Sequence, residues 1–250
     1  MRHARTRWTQ LPRLAAVVTA MGLALTLGAC GGGSDDAGEA AATGSQAGSG
    51  ASGPLNGIET KPAAEIISAA ANALRGADSV HFAGDGVDEG KPASVDLRLD
   101  SHGAVTGSMD TNGMHLEVLR VGGVAYVRGE GLVAAYPGAR PEQWVKTGPL
   151  PNDDNLSLDG AADDIEDMAD DLKAGETPTI EQVTEQGQPA VKVTTKSHTL
   201  YVANVGEPLP LRQTGTGVDS GTLDATFTEY GQPVTATAPT DVFEIPQAAS

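Results

Sequence analysis

Apolar and polar side chains alternate over most of the chain beyond Ser79, and this two-residue period limits the fold more than any other feature. Val95, Leu97 and Leu99, for example, alternate with polar neighbours. Successive side chains of a strand point to opposite faces of a sheet, so such a segment is a strand with one buried face. The segments with this pattern are Val80–Phe82, Val95–Leu99, Val105–Met109, Met114–Val118, Val124–Val127, Thr179–Val183, Ala190–Thr194, Thr199–Ala203, Leu209–Thr214 and Thr222–Tyr230.

Short turns separate several of these segments. Asn112-Gly113 is a strong hairpin signal, because both residue types tolerate the positive φ angles of a two-residue turn. Gly122-Gly123 is a second turn of this length. Connections this short join antiparallel neighbours, so we predict an antiparallel meander with one apolar face.

Two segments have the helical period instead. Pro62–Arg75 begins with a residue that suits a first helical turn and is followed by Gly76, a natural stop. Gly160–Lys173 is the second predicted helix, and its many aspartates predict a solvated acidic face. The apolar stripes of the two helices are Ile66, Ile67, Ala70, Ala73 and Leu74, and then Ile165, Met168, Ala169 and Leu172.

The predicted order is a helix, about five strands, a helical insertion and about five more strands, which is an α+β fold. A sheet of about ten antiparallel strands must curl or close on itself. Two short helices cover only part of its apolar face. Two arrangements remain open: a tightly curled barrel, or a concave surface with room for a guest molecule.

The N-terminal residues have the pattern of an export signal. Arg2–Arg13 is basic, and the apolar run Leu14–Leu27 is too short for a stable transmembrane helix, which needs about 20 residues. Leu27-Gly28-Ala29-Cys30 resembles a bacterial lipobox, so we predict a signal peptide over 1–29 and a diacylglyceryl group on Cys30. An ordinary secretory signal with an incidental cysteine is the alternative. Cys30 is the only cysteine, so no internal disulfide forms.

Residues 30–57 are small, polar and acidic, and we predict that they form the acylated start and a disordered tether ahead of a domain over 58–246. The whole chain has a net charge of -17. Loss of residues 1–29 leaves 12 basic and 33 acidic residues, a net charge of -21. A surface this acidic argues against nucleic-acid binding and against unassisted binding to anionic lipid. We therefore expect an exported protein held by its lipid anchor on the outer face of the cytoplasmic membrane.

No pattern for catalysis or metal binding stands out. The aspartates of the second helix lie on a helix, whereas calcium prefers loops that wrap the ion. The histidines are widely spaced and lack the close ligand pairs of zinc sites. There is no Gly-x-Ser-x-Gly elbow, and the one cysteine belongs to the anchor. We predict neither an enzyme, nor a metal site, nor a cofactor.

Several short segments occur in an order that is similar to their order in one known family. They are Cys30 of the lipobox, Ala73–Phe82, Val121–Val127, Trp144–Lys146, and Thr199–Ala203 followed by Gly206–Arg212. Together they resemble the LppX/LprA/LprF/LprG group of actinobacterial lipoproteins, over about Ile58–Ile245. The resemblance implies a LolA-like half-barrel that carries lipid or glycolipid, with an acyl-binding cavity between sheet and helices.

With that resemblance, the apolar residues divide into a cavity lining from the strands and a lid from the helices. The candidate lining is Val95, Leu97, Leu99, Met114, Leu116, Val118, Leu200, Val202, Leu223 and Phe227, and the candidate lid is Ile66, Leu74, Ile165, Met168 and Leu172. Ordinary core packing is the competing interpretation of each residue. Two other functions remain open: an envelope sensor or adaptor that binds a protein through the same half-barrel, and a structural lipoprotein with a filled core.

Overall fold

The structure, a computed structural model, describes residues 53–88, 90–111, 113–148, 156–173, 175, 177–216 and 221–245. The predicted leader, Cys30 and most of the predicted tether lie outside the described residues. Within them, one long sheet carries two amphipathic helices on one of its faces. None of the described helices has the length and apolar character needed to cross a bilayer.

The helices are α1 (Ala63–Arg75), α2 (Leu132–Ala135) and α3 (Leu158–Lys173), with a 3₁₀ turn at Ile58–Thr60. The strands are β1 (Ser79–Asp88), β2 (Lys91–Asp100), β3 (Val105–Thr111), β4 (Met114–Val121), β5 (Val124–Arg128), β6 (Trp144–Gly148), β7 (Thr179–Glu185), β8 (Gln188–Thr194), β9 (His198–Ala203), β10 (Pro210–Thr216), β11 (Thr222–Thr228) and β12 (Val242–Glu244).

The sheet runs in the order β12-β6-β5-β4-β3-β2-β1-β11-β10-β9-β8-β7, so β12 and β7 are its two edges. The predicted α+β fold, with a long curled sheet covered by short helices, is confirmed. The number of strands is twelve rather than about ten. The prediction of a wholly antiparallel sheet is wrong at one edge, where β12 pairs with β6 in parallel. After β11 the chain crosses to the far edge of the sheet, and a crossover of this kind brings a strand back in parallel.

Tight turns fix the register of the hairpins. Gly122 and Gly123 both have positive φ, at 58° and 76°, as a two-residue turn between β4 and β5 requires. Gln186 and Gly187 join β7 to β8 with φ angles of 50° and 76°. The predicted turn at Gly122-Gly123 is therefore confirmed.

Two glycines let neighbouring strands in the middle of the sheet approach each other closely. A Cβ atom on Gly86 of β1 would lie 1.9 Å from the carbonyl oxygen of Thr222 in β11. A Cβ atom on Gly107 of β3, which has a φ of 147°, would lie 2.0 Å from the carbonyl oxygen of Asp96 in β2. No side chain fits at these distances, so both positions require glycine to let neighbouring strands approach.

The two longer helices begin close to their predicted positions. Pro62 is the N-cap of α1, so the helix starts one residue later than predicted and ends before Gly76. α3 starts at Leu158 instead of Gly160, because the Ser157 hydroxyl accepts a hydrogen bond from the Gly160 amide at 3.0 Å and caps the helix. The short helix α2 was not predicted.

α1 and α3 pack against each other on the inner, concave face of the sheet. Arg75 of α1 donates to Asp163 and Glu166 of α3, at 2.7 Å to each carboxylate. These two ion pairs raise the pKa of the Arg75 guanidinium above its ordinary value, even though partial burial acts to lower it. Phe82 and Phe227 lie beneath the helices with their ring centroids 5.1 Å apart. The core therefore lies between the inner face and the α1–α3 pair.

The end of the predicted tether is held against the sheet. The Asn56 side-chain amide donates to the carbonyl oxygens of Ala203 at 3.0 Å and Gly206 at 3.1 Å. Leu55 forms an isolated bridge with Val205. Contacts to the sheet thus begin before Ile58, the predicted start of the domain.

Candidate functional site on the inner face of the sheet

The inner face is apolar across most of its width. Phe82 on β1 pairs with Phe227 on one side and Leu97 on the other, and the same row continues to Val118 on β4. Reading the register outward from this row places all ten predicted lining residues on the inner face. The structure therefore brings the predicted set together on one surface. That they line a lipid cavity stays a prediction.

One part of this face is filled core. Leu200 and Val202 have no surface accessible to water, and Phe227 has only 1%. Of the predicted lid residues, Ile66, Leu74, Ile165 and Met168 are equally buried, whereas Leu172 is partly exposed. A side chain without accessible surface does not border a space that admits water. In this structure these residues pack as an ordinary core beneath α1 and α3.

Another part of the face is only half covered. Val95, Met109 and Leu223 are partly buried and pack against the same core, and on β4 the surface continues through the half-buried Met114 and ends at Leu116, which is itself buried. We call these five residues the open patch. The register places Val95 opposite Met109, and Met109 opposite Leu116, so three of them form a continuous row across β2, β3 and β4.

Met109 was missed as a candidate lining residue. Its signal was already present in the sequence, because Val105, Gly107 and Met109 continue the two-residue alternation on β3. Among the predicted lining residues, the structure separates those that are fully packed, such as Leu200, from those that keep accessible surface, such as Val95. The candidate site is therefore the open patch and not the whole inner face.

The C-terminal end of α3 is fixed to the turn between β8 and β9. One carboxylate oxygen of Asp171 accepts from the Ser197 hydroxyl at 2.6 Å, from the Thr195 hydroxyl at 2.9 Å and from His198 Nδ1 at 3.3 Å. Partial burial acts to raise the pKa of Asp171, but the hydrogen bonds together outweigh it and hold the pKa below its ordinary value. The ionised Asp171 carboxylate therefore holds the C-terminal end of α3 to the β8–β9 turn.

The prediction of a solvated acidic face on this helix is wrong at Asp164, and two other aspartates of the face are held by partners. Asp171 binds the β8–β9 turn, Asp163 pairs with Arg75, and Asp164 is only 5% exposed. The sequence placed these residues outside the apolar stripe of α3. The partners of Asp171 and Asp163 come from segments distant in the chain, which helical periodicity does not reveal.

The other end of α3 is fixed by Arg120, a buried residue of β4. Its side chain donates to the carbonyl oxygens of Gly103 at 2.6 Å and Leu156 at 2.7 Å. Leu156 lies two residues before α3. The helix is therefore held at both ends over the filled part of the inner face, and it leaves the open patch accessible.

Removal of the Asp171 charge gives a pH-dependent prediction. Since the folded-state pKa is lowered, the stabilisation is complete above the unfolded-state pKa of about 3.9 and is lost as the pH falls through the folded-state pKa. We expect Asp171→Asn to lower the free energy of unfolding at pH 7 by about 1–2 kcal/mol. The difference from wild type should shrink as the pH falls below about 4, as measured by urea unfolding over a series of acidic pH values.

A variant on the same helix serves as the control. Among the described residues, Asp170 is bound only by the exposed Lys173, so Asp170→Asn should change stability by less than about 0.5 kcal/mol. If the difference in free energy of unfolding between wild type and Asp171→Asn did not change with pH, the stabilising role of the ionised carboxylate would be contradicted.

Across the described residues, no three histidine, cysteine, aspartate or glutamate side chains gather as a metal site. His81 and His115 each lie beside an aspartate, Asp96 at 2.9 Å and Asp110 at 3.0 Å. These pairs are on the outer face or at a strand end, away from the open patch.

Comparison with known proteins shows similarity of fold only. No protein-family model and no curated protein matches the chain. Among solved structures, the chain is similar to LprF from Mycobacterium bovis, with 19% identity over 75% of this chain and 99% of that one, and a TM-score of 0.49. It is also similar to the lipoprotein LppX from Mycobacterium tuberculosis, with 17% identity, coverage of 70% and 97%, and a TM-score of 0.44.

A LolA superfamily protein from Nitrosomonas europaea is a more distant likeness, with 9% identity, coverage of 70% and 95%, and a TM-score of 0.32. LprF and LppX belong to the group that the sequence resembles, so that resemblance is found again among solved structures. At these identities the likeness concerns the fold alone.

Proposed function

We propose that the chain is an exported lipoprotein, anchored through Cys30, that binds the acyl chain of a lipid or glycolipid on the open patch for local carriage or hand-off. The observation that carries the proposal is the pair of half-buried apolar residues Val95 and Met109, which lie side by side on β2 and β3 and continue directly into the buried core at Leu116. Partly exposed apolar surface on the inner side of a curled sheet is typical of a binding site.

The energetics favour an apolar surface for such a ligand. Moving an acyl chain of about 16 carbons from lipid into water costs roughly 12 kcal/mol, at about 0.8 kcal/mol per methylene. Hydrogen bonds do not offset this cost, because methylene groups neither donate nor accept them. A carrier must therefore enclose the chain among side chains such as Val95, Met109 and Leu223.

Anchoring limits where the ligand travels. A chain fixed to the bilayer through Cys30 meets lipids and membrane proteins within the reach of its tether, roughly 30 Å on average for 27 residues. The acidity of the chain supports this role, because a net charge of -21 after loss of residues 1–29 disfavours direct contact with anionic lipid. Local hand-off at the membrane surface fits these constraints better than transport through the aqueous phase.

A second candidate function rests on the edge strand β7. In the described sheet β7 pairs only with β8, and most of its side chains, including Ile180, are exposed. An exposed edge is able to pair with an added strand from a protein partner. Crosslinking in cells, compared between wild type and Gln182→Pro, tests this function, since proline at an edge position blocks the pairing of an added strand and β7 lies outside the open patch.

Binding of a fluorescent fatty acid to the purified chain with Cys30→Ser tests the first function. We expect saturable binding in the micromolar range or tighter, with a stoichiometry of one or a small whole number per chain. Competition by unlabelled palmitate should reverse the signal. Absence of saturable binding would argue against acyl carriage and in favour of a structural or adaptor role.

A further inference from the structure

β7 is a long edge strand without the usual protection against pairing with another strand. Its seven residues pair with β8 without a register shift, and they include no proline and no lysine. Bulges, prolines and lysines are the features that ordinarily keep an edge from pairing. The other edge of the described sheet, β12, has only three residues. β7 is therefore the edge that is long enough to accept a further strand.

Alternate residues of β7 direct their backbone groups away from the sheet. On β8, the Pro189 carbonyl accepts from the Asn204 amide at 2.9 Å, so Pro189 and every second residue after it bond toward β9. The residues between them bond toward β7, where their partners are the odd-numbered residues of Thr179–Glu185. The N–H and C=O groups of the even-numbered residues therefore point to the open edge. These residues, which we call the free row, are Ile180, Gln182 and Thr184.

The free row is accessible along its whole length. All three residues are exposed, Ile180 with 38% of its surface. Among the described residues, no backbone hydrogen bond from another segment reaches them. Backbone groups of this kind are satisfied by water or by an added strand.

The free row pairs with a copy of itself in one register. Strands bond through facing N–H and C=O groups, so a residue of one free row pairs only with a residue of another. Antiparallel pairing that uses all three residues places Ile180 opposite Thr184 of a second copy and Gln182 opposite its own copy. This register is two-fold symmetric, as the interface of a symmetric dimer requires. Each of the three pairs exchanges two hydrogen bonds, which gives about six in all.

The charges beside the edge are compatible with this pairing. The register places each glutamate of β7 opposite a neutral residue of the second copy, so no two carboxylates face each other. Glu181 is paired with Lys192 at 2.9 Å, and Glu185 lies 4.0 Å from Arg212. Since both glutamates already have basic partners, the edge does not select for a basic strand.

The net charge of the whole chain opposes association only weakly at this edge. Each copy has a net charge of -21 after loss of residues 1–29. At physiological ionic strength, exposed charges more than about 8 Å apart are largely screened. The charges nearest the contact are the paired ones of Glu181 and Glu185, so the remaining repulsion is long-range and falls as salt is added.

We propose that the β7 edge pairs with the β7 edge of a second copy of this chain, antiparallel and centred on Gln182. This inference deepens the second candidate function, on which it rests, by naming the partner of β7. Three residue pairs form a contact below the roughly 1,000 Å² of a stable interface, so the dimer is weak in solution. Anchoring through Cys30 confines the copies to one membrane and raises their local concentration, which favours the contact.

Single cysteines test the register on the full chain carrying Cys30→Ser, which has no other thiol. In Gln182→Cys the new thiol faces its own copy, with Cα atoms about 5.5 Å apart, which suits a disulfide. In Ile180→Cys, on the same strand, the copy lies about 14 Å away along the partner strand. Diamide, which takes up the two hydrogen atoms of the thiols, should therefore link Gln182→Cys at least about tenfold faster than Ile180→Cys. The double variant Ile180→Cys/Thr184→Cys should link as fast as Gln182→Cys.

Sedimentation equilibrium of the chain with Cys30→Ser alone tests the same contact without a crosslink. We expect a reversible dimer with a Kd of about 10–1,000 µM, which becomes tighter as sodium chloride rises from about 0.05 to 0.5 M. Gln182→Pro removes an N–H that points to the open edge and leaves the pairing with β8 in place, so this variant should remain monomeric.

The outcomes separate self-pairing from the other functions. Equal linking rates for Gln182→Cys and Ile180→Cys would overturn the register, and the absence of a linked dimer of either variant would overturn self-pairing. If self-pairing fails while crosslinks in cells remain sensitive to Gln182→Pro, another protein occupies the edge and the second candidate function stands. If those crosslinks are absent too, that function fails as well. Fatty-acid binding is a separate readout, because β7 lies outside the open patch.

Discussion

Replacing Phe227 with alanine is expected to destabilise the domain more than any other single truncation. Phe227 is 1% exposed and packs against Phe82 at the centre of the inner face. Truncation of a buried phenylalanine costs about 3–5 kcal/mol, from lost transfer free energy and the cavity that remains. Since domains have a total stability of only about 5–15 kcal/mol, the variant should unfold at far lower denaturant concentration.

Urea unfolding followed by far-ultraviolet circular dichroism measures this effect. Phe243→Ala is the matched control, because Phe243 lies on the edge strand β12 and is only partly buried. Phe243→Ala should lower the free energy of unfolding by a clearly smaller amount. Equal losses for the two variants would mean that the Phe82–Phe227 pair is not the centre of the core.

The second large effect concerns binding and not stability. Met109→Lys places an ammonium group in the middle of the open patch, beside Val95 and Leu116. An acyl chain lying there would have to pack against a charge or leave that contact unmade, so affinity for a fluorescent fatty acid should fall at least about tenfold. The fold should survive, because Met109 is partly exposed and a lysine at this position is able to extend its ammonium group to water.

Ser108→Lys is the control for this variant. Ser108 is the neighbouring residue of β3 and points to the outer face, where it pairs with Asp96 and Glu117. The same charge there should leave binding unchanged. If the two lysine variants bind the fatty acid equally well, the open patch is not the binding surface.

The sequence predicted the parts of the fold that depend on local pattern. The alternation of Val95, Leu97 and Leu99 placed these residues on one face, and Gly122-Gly123 marked a hairpin, because both signals lie within a few neighbouring residues. The parallel pairing of β12 with β6 was not predictable in this way. It involves three residues whose partners lie about a hundred positions away.

The candidate site was predictable only in outline. Periodicity identified Leu200 and Val95 as inner-face residues, yet it does not indicate which of them the helices cover. That difference depends on the tertiary position of α1 and α3, set by contacts such as Arg75 with Glu166 and Asp171 with Ser197.

Lipid analysis of the purified chain tests the central claim most directly. The chain should be produced with Cys30→Ser, so that no acyl group of the anchor contributes, and examined by native mass spectrometry and by lipid extraction. Acyl binding predicts a co-purifying lipid of uniform class on the wild type, depleted in Met109→Lys and retained in Ser108→Lys. A protein of bare polypeptide mass, with no lipid in the extract of any variant, would contradict it.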